Sequence, residues 1–243
     1  MKTIKGIWRF SRVICYTFVC LFQAYTRFKR VDRKEKGRML RYYPTQVLKL
    51  AGVRCSYEGN VPELLHECGL TDTPPAYMVL SNHISWLDIF SLDSQLPSRF
   101  IAKAEIAKWP VFGLIAQQIG TLFINRSSKR AILRINDDIR GALCNCEAVT
   151  IFAEGTTTFG NELLPIKANF IAPACEIGAT VQPVILSYKN KGKPTKRAAF
   201  AGDVTLFGSL WNVVTMEDAE VVVHFLEPIT NTKDLTRHEV AKI

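Results

Sequence analysis

Residues 76–88 read "AYMVLSNHISWLD", in which a short apolar run ends in a cluster of polar groups and a helix-like pattern follows. A short uninterrupted apolar run is typical of a strand that is buried on both faces of a sheet. Burying a histidine, an aspartate and two serines costs free energy unless each group finds a partner. Because sites in open α/β sheets form beyond the carboxyl ends of strands, this stretch predicts a functional site.

The rest of the chain alternates between similar apolar runs and longer amphipathic segments. Residues 128–145 place several isoleucines and a leucine on one helical face with charges opposite. Further strands are predicted at 76–81, 99–102, 121–125, 148–153, 181–188 and 220–226. The alternation predicts the α/β class, with a mixed, largely parallel sheet flanked by helices on both sides.

The positive charge of the chain is concentrated near its N-terminus. Residues 1–54 carry 14 lysines and arginines against two acidic residues, whereas the remaining residues carry 17 against 20. This distribution argues against nucleic acid as a partner, because the α/β part has no basic excess. We therefore predict two parts: a basic and apolar helical segment at 1–50 that anchors the chain to a membrane, and an α/β domain at 51–243.

The anchoring prediction depends on the apolar run at 13–25, which has cations on both sides. Its 13 uncharged residues are fewer than the roughly 20 that span a bilayer. No small-residue cleavage site follows, which disfavours a removable signal peptide. The pattern predicts amphipathic helices in the membrane interface, with the basic flank on an anionic cytoplasmic face, the inner membrane in a bacterium. A buried core helix followed by a solvated basic linker is the alternative.

The polar cluster of the opening stretch has two interpretations. In a continuous helix His83 and Asp88 would lie about 140° apart and could not meet. If His83 lies in the turn before the helix, the Asp88 carboxylate can hold one ring nitrogen and leave the other free as a base. Alternatively, Ser85 and Asp88 form a capping box and His83 is only a hydrogen-bonded turn residue. The local pattern does not decide between them.

Further motifs do decide, because they occur in a fixed order along the chain. The four blocks are "NHISWLD" (82–88), "GTLFINR" (120–126), "FAEGTTT" (152–158) and "VQPVIL" (181–186). They resemble the N-H-x-S-x-x-D, G-x-x-F-I-x-R, F-P-E-G-T-R-S and V-P-V blocks of the 1-acylglycerol-3-phosphate O-acyltransferase family. The resemblance covers about 77–188.

The resemblance implies transfer of a fatty acyl group from a thioester to the free hydroxyl of a lysolipid at a membrane. In the family the histidine removes the hydroxyl proton and the aspartate orients it, so His83 and Asp88 are the catalytic candidates. The acyl donor is a co-substrate, acyl-CoA or acyl-carrier protein, and no further cofactor is implied. The chain has no G-x-S-x-G, which is consistent because no acyl-enzyme is required.

The other blocks imply residues that bind the acceptor. These candidates are Lys103, Arg126, Glu154, Gly155 and Thr156. The cations suit a phosphate group, and the glycine permits close backbone approach. Thr157 stands where the family commonly has an arginine, so the acceptor is open between lysophosphatidic acid and another lysolipid such as lyso-ornithine lipid.

Two other classes of function remain as alternatives. One is a catalytically silent protein that keeps the fold for recruitment to membranes, although the histidine, the aspartate and the Glu-Gly pair are all retained. The other is a thioester hydrolase, which would release fatty acid without any acceptor. The seven cysteines form no C-x-x-C pair and no zinc-ligand spacing, so the sequence predicts neither a disulfide framework nor a metal.

Overall fold

The computed structural model describes residues 2–61, 77–125 and 129–243. The strands in these ranges are β1 (Val53–Gly59), β2 (Met78–Ser81), β3 (Arg99–Lys103), β4 (Leu122–Ile124), β5 (Val149–Phe152), β6 (Val181–Asn190), β7 (Lys193–Pro194) and β8 (Ala219–Phe225). The α-helices are α1 (Lys2–Gln23), α2 (Arg33–Ala51), α3 (Leu87–Asp93), α4 (Phe112–Gln118), α5 (Lys129–Cys144), α6 (Ala172–Ile177), α7 (Leu206–Val214) and α8 (Arg237–Val240). A π-helical turn at Ala24–Phe28 follows α1.

The strands form one sheet in the order β1-β8-β6-β2-β5-β3-β4, and the short strand β7, outside this order, pairs with β6. Strands β6, β2, β5, β3 and β4 run parallel to one another, whereas β8 is antiparallel to β6 and β1 is parallel to β8. The predicted α/β class with a mixed, largely parallel sheet is confirmed.

The central strand β2 shows why continuous apolar runs fit this sheet. All four of its residues are buried. Val79 faces a core that includes residues of α2, α3 and α7, whereas Met78 and Leu80 face a second core that includes residues of α5 and α6. Successive side chains point to opposite faces, so a strand covered on both sides needs apolar residues at every position.

The first strand, β1, is not among the predicted ones. It lies at the edge of the sheet, and of its seven residues only Val53 is fully buried. An edge strand pairs on one side and keeps polar residues toward solvent, so its sequence lacks the apolar run that marks the inner strands.

The N-terminal helix α1 begins well before the apolar run that predicted it. One face of α1 packs on α7, and α2 packs on α3. The opposite face carries large exposed apolar residues: Ile4, Ile7, Trp8, Phe18, Val19 and Phe22. Within the described residues, no helix is both long and apolar enough to cross a bilayer. The division at residue 50 falls at the end of α2 and stays a prediction.

A buried arginine joins α1 to the rest of the chain. The Arg9 guanidinium donates to the carbonyl oxygens of Val214 (3.2 Å) and Met216 (2.9 Å), at the end of α7. It also lies against Gly52, the left-handed residue (φ 74°) that ends α2. A Cβ atom at residue 52 would overlap this guanidinium, so a glycine is required there for space as well as for its backbone conformation.

We expect Arg9→Ala to lower the free energy of unfolding by about 3 kcal/mol, because it leaves two buried carbonyl groups without donors. Urea unfolding followed by tryptophan fluorescence measures the change. Arg12→Ala is the matched control, since Arg12 is exposed and its guanidinium carbon lies 4.0 Å from the centroid of the Trp8 ring. Equal stability of the two variants would contradict the role given to Arg9.

Candidate active site

The predicted site residues that the structure describes lie at one edge of the sheet because they follow parallel strands. His83 lies two residues after the end of β2, Glu154 lies two residues after the end of β5, and Lys103 ends β3. The carboxyl ends of parallel strands meet at a single edge, where ligands bind in open α/β sheets. Described residues from separate motifs therefore lie close together around the carboxyl end of the central strand β2.

His83 and Asp88 meet at this edge. The Nδ1 atom of His83 lies 2.8 Å from Oδ2 of Asp88, with His83 in the turn before α3 and Asp88 in its first turn. The same Oδ2 accepts from the amides of Ile84 (2.7 Å) and Ser85 (2.9 Å), while Ser85 Oγ accepts from the Leu87 amide (3.3 Å). Asp88 therefore contacts the imidazole and also accepts from the Ser85 amide, as the capping interpretation expected, so that His83 is more than a turn residue.

The surroundings of His83 fix its ring and leave one nitrogen available. The His83 ring stacks on the Phe152 ring, with 3.8 Å between the ring centroids and an interplanar angle of 9°. The His83 carbonyl accepts from the Thr158 amide (2.8 Å). The His83 side chain is 20% exposed, whereas that of Asp88 is fully buried. With Nδ1 facing the carboxylate, Nε2 is the ring nitrogen that can accept a proton from a ligand.

Sequence reasoning missed two residues that position this pair. The Asn82 side chain donates to the Leu186 carbonyl (3.0 Å) and accepts from its amide (2.7 Å), which ties the turn to β6. Tyr188, two residues further along β6, donates its hydroxyl to Asp88 Oδ1. Alternate residues of a strand share a face, so the predicted strand at 181–188 contained the signal that Tyr188 lies beside Leu186.

A cavity of about 910 Å³ opens at the histidine. It is within the size range of ligand pockets and is lined mainly by apolar side chains. It reaches from His83 and Phe152 to α1 and α2, where Met39 and Tyr43 line it. Trp109 lines it as well.

Three of the five predicted acceptor-binding residues line this cavity: Lys103, Gly155 and Thr156. Lys103 and Thr156 are exposed, and Gly155 has a positive φ of 75°. Thr157, at the position where the family commonly has arginine, donates its hydroxyl to the carbonyl of Phe200. Arg126 lies outside the residues that the structure describes.

Glu154 is buried beside the histidine without the donors that Asp88 has. Glu154 is 5% exposed, and neither carboxylate oxygen has a hydrogen-bond partner among the described residues. Burial raises the pKa of Glu154, and the neighbouring backbone amides of Leu164 and His83 offset this only in part. A buried polar group left unsatisfied in a cleft is a candidate for contact with a ligand.

Comparison with known proteins relates this geometry to a family. The chain is 43% identical over 154 residues to the 1-acyl-sn-glycerol-3-phosphate acyltransferase of Neisseria gonorrhoeae, which covers 63% of this chain and 60% of that protein. It is 39% identical over 163 residues to the lyso-ornithine lipid O-acyltransferase of Pseudomonas aeruginosa, covering 67% of this chain and 62% of that protein. The chain thus spans less than two thirds of the length of either relative.

The fold is that of a solved structure, the 1-acyl-sn-glycerophosphate (LPA) acyltransferase from Thermotoga maritima. The two share a TM-score of 0.68 at 19% identity, over 100% of this chain and 92% of the other. The family model described as Acyltransferase matches residues 55–187, which is more than half of the chain and includes the His83–Asp88 pair. The protein is therefore a member of the acyltransferase family.

Proposed function

We propose that the protein is an O-acyltransferase that moves a fatty acyl group from acyl-CoA or acyl-carrier protein to the free hydroxyl of a lysolipid in phospholipid biosynthesis. The observation that carries the proposal is the His83–Asp88 contact of 2.8 Å at the mouth of a largely apolar cavity. A base next to an apolar cavity suits a substrate that has one reacting hydroxyl or thioester and long hydrocarbon chains.

The reaction follows from the one ring nitrogen that is left available. Nε2 of His83 takes the proton of the acceptor hydroxyl as its oxygen attacks the thioester carbonyl. The carbon–sulfur bond then breaks, the thiolate leaves and receives the proton from the imidazolium, and an ester replaces the thioester. Asp88 holds Nδ1–H throughout and stabilises the imidazolium by its negative charge.

The acceptor is proposed as lysophosphatidic acid, with Lys103 supplying one cation for its phosphate and Arg126 a second. Lyso-ornithine lipid is the alternative, and the side chain of Thr157 favours it. Its hydroxyl is engaged with the Phe200 carbonyl, so a neutral group stands where the family commonly has a cation. Relatives named for each of these two activities are similarly identical to this chain.

Association with a membrane is part of the proposal, on the cytoplasmic face. Its support is the exposed apolar face of α1, which combines Trp8, Phe18 and Phe22 with a basic N-terminal segment. Such a helix lies in the interface with its apolar face among the lipid chains. The same segment lines the far end of the cavity, so a lipid chain could pass from the membrane into the site.

Replacement of His83 by alanine is expected to lower kcat by about 100- to 10,000-fold, the contribution of a general base. The assay follows labelled acyl-CoA and acyl-carrier protein with lysophosphatidic acid and lyso-ornithine lipid as acceptors. His224→Ala is the matched control, because His224 lies on β8 and its charged neighbour is Glu58 at 3.5 Å. Full activity of the His83 variant would remove that residue from the mechanism.

Substitution Glu154→Gln is expected to stabilise the fold and to impair turnover. Burial raises the pKa of Glu154 in the folded protein above its value in the unfolded chain. The free energy of unfolding therefore falls as the pH rises above the pKa of Glu154 in the unfolded chain, because ionisation is then less favourable in the folded state. The free energy of unfolding of the variant should therefore exceed that of the wild type at pH 8, with a smaller difference at pH 4. The loss of a charged contact to the acceptor should lower kcat/KM by about 10- to 100-fold.

The control for this substitution is Glu162→Gln, because Glu162 is exposed in the same loop. It should change neither the pH dependence of unfolding nor the turnover. A Glu154 variant that is less stable than the wild type at pH 8, or fully active, would show that its carboxyl group has been assigned wrongly.

The membrane proposal is tested with the triple variant Trp8→Ser, Phe18→Ser, Phe22→Ser, which leaves the packed face of α1 intact. Each aromatic residue contributes about 1.5–3 kcal/mol when buried, so we expect binding to anionic vesicles to fall by more than about tenfold. Vesicle sedimentation measures it. A variant with Leu133→Ser and Ile243→Ser, two exposed apolar residues outside α1, should bind normally. Unchanged sedimentation of the triple variant would refute the assigned face.

A further inference from the structure

We propose that Tyr188 is a positioning residue for the His83–Asp88 pair: its hydroxyl holds Asp88 Oδ1, so that Oδ2 stays aligned with the imidazole. The inference rests on the function proposed above, because alignment matters to turnover only if His83 is the base. It adds to the acyltransferase motifs a residue that lies beyond the last of their blocks, which ends at residue 186.

Both oxygens of the Asp88 carboxylate accept hydrogen bonds. Oδ2 accepts three hydrogen bonds from the turn before α3: His83 Nδ1, the Ile84 amide and the Ser85 amide. Among the described residues, the donor to Oδ1 is the Tyr188 hydroxyl. Contacts at one oxygen alone would let the carboxylate turn about that atom. A donor at the other oxygen fixes the plane of the group.

Tyr188 comes from a different element than the other donors to Asp88. It lies on β6, and the backbone of Leu186, two residues earlier on the same strand, holds the Asn82 side chain. Strand β6 therefore fixes both the start of the turn that carries His83 and the carboxylate that orients it. The pair is held between a strand and a helix, which is the rigid support that catalytic groups require.

The phenol of Tyr188 is held in its protonated form. Tyr188 is 5% exposed, and burial, followed by the negative charge of Asp88, raises its pKa well above the usual value. The half-buried thiol of Cys55 acts on this pKa in the same direction, whereas the hydroxyl of Ser85 acts in the opposite direction. The hydroxyl therefore keeps its proton and remains a donor to Asp88.

The test replaces the hydroxyl and keeps the ring, with Tyr188→Phe. We expect kcat to fall by about tenfold, the effect of one hydrogen bond to a charged group, with KM for donor and acceptor unchanged. The control is Tyr57→Phe, because Tyr57 lies on β1, packs against the same core and bonds Ser94 by its hydroxyl. Its kcat should match that of the wild type, and thermal unfolding verifies that both variants are folded.

A second readout does not need turnover. The Nδ1 proton that His83 shares with Asp88 should give a downfield proton resonance, identified by its absence in His83→Ala. We expect it in the wild type and in Tyr57→Phe, and expect it to be lost by exchange with solvent in Tyr188→Phe. The resonance therefore tests Tyr188 even if no lysolipid is acylated, an outcome that would reject the proposed function alone.

Two results would overturn the proposal for Tyr188. One is an unchanged resonance in Tyr188→Phe, which would leave the hydroxyl without influence on the pair. The other is an equal loss of kcat in Tyr57→Phe, which would assign the effect to the loss of any buried hydroxyl from this core.

Discussion

The arrangement of the site depends on one buried charge, the carboxylate of Asp88. An ionised carboxylate without water is stable only when several donors surround it. Here the donors come from the turn at 83–85 and from Tyr188 on β6. Asp88 and Tyr188 are 100 residues apart in sequence, so the charge can be buried only when the central strands are correctly paired. The hydrogen bonds to Asp88 therefore form only in the correctly paired sheet.

Glu154 contrasts with this satisfied group. Asp88 has its donors within the protein, whereas Glu154 is buried with both oxygens unpartnered among the described residues. The first arrangement suits a group that must not move, and the second suits a group whose partner arrives with the substrate. A carboxyl group kept in this state costs stability, which proteins commonly tolerate at functional sites.

Local patterns predicted the inner strands, whereas they left open whether His83 meets Asp88. The resemblance of the ordered motifs to the acyltransferase family predicted that contact. Continuous apolar runs marked strands covered on both faces, and the position of a polar cluster at a strand end placed the turn before α3. The edge strand β1 was missed because Arg54 and Glu58 interrupt it. Tyr188 was missed because a tyrosine in a strand is usually read as packing, and its contact with Asp88 exists only after β6 pairs with β2. The early start of α1 was missed because Lys5 and Arg12 lie on its exposed face, outside the apolar run.

The central claim is that the acceptor hydroxyl, activated by His83, attacks the thioester directly. The most direct measurement is the release of free thiol from acyl-CoA or acyl-carrier protein as the concentration of lysolipid is varied. The account predicts that thiol release requires a lysolipid and equals the amount of acylated product, one for one. Release of thiol and free fatty acid at the same rate without any lysolipid would contradict it and identify a thioester hydrolase.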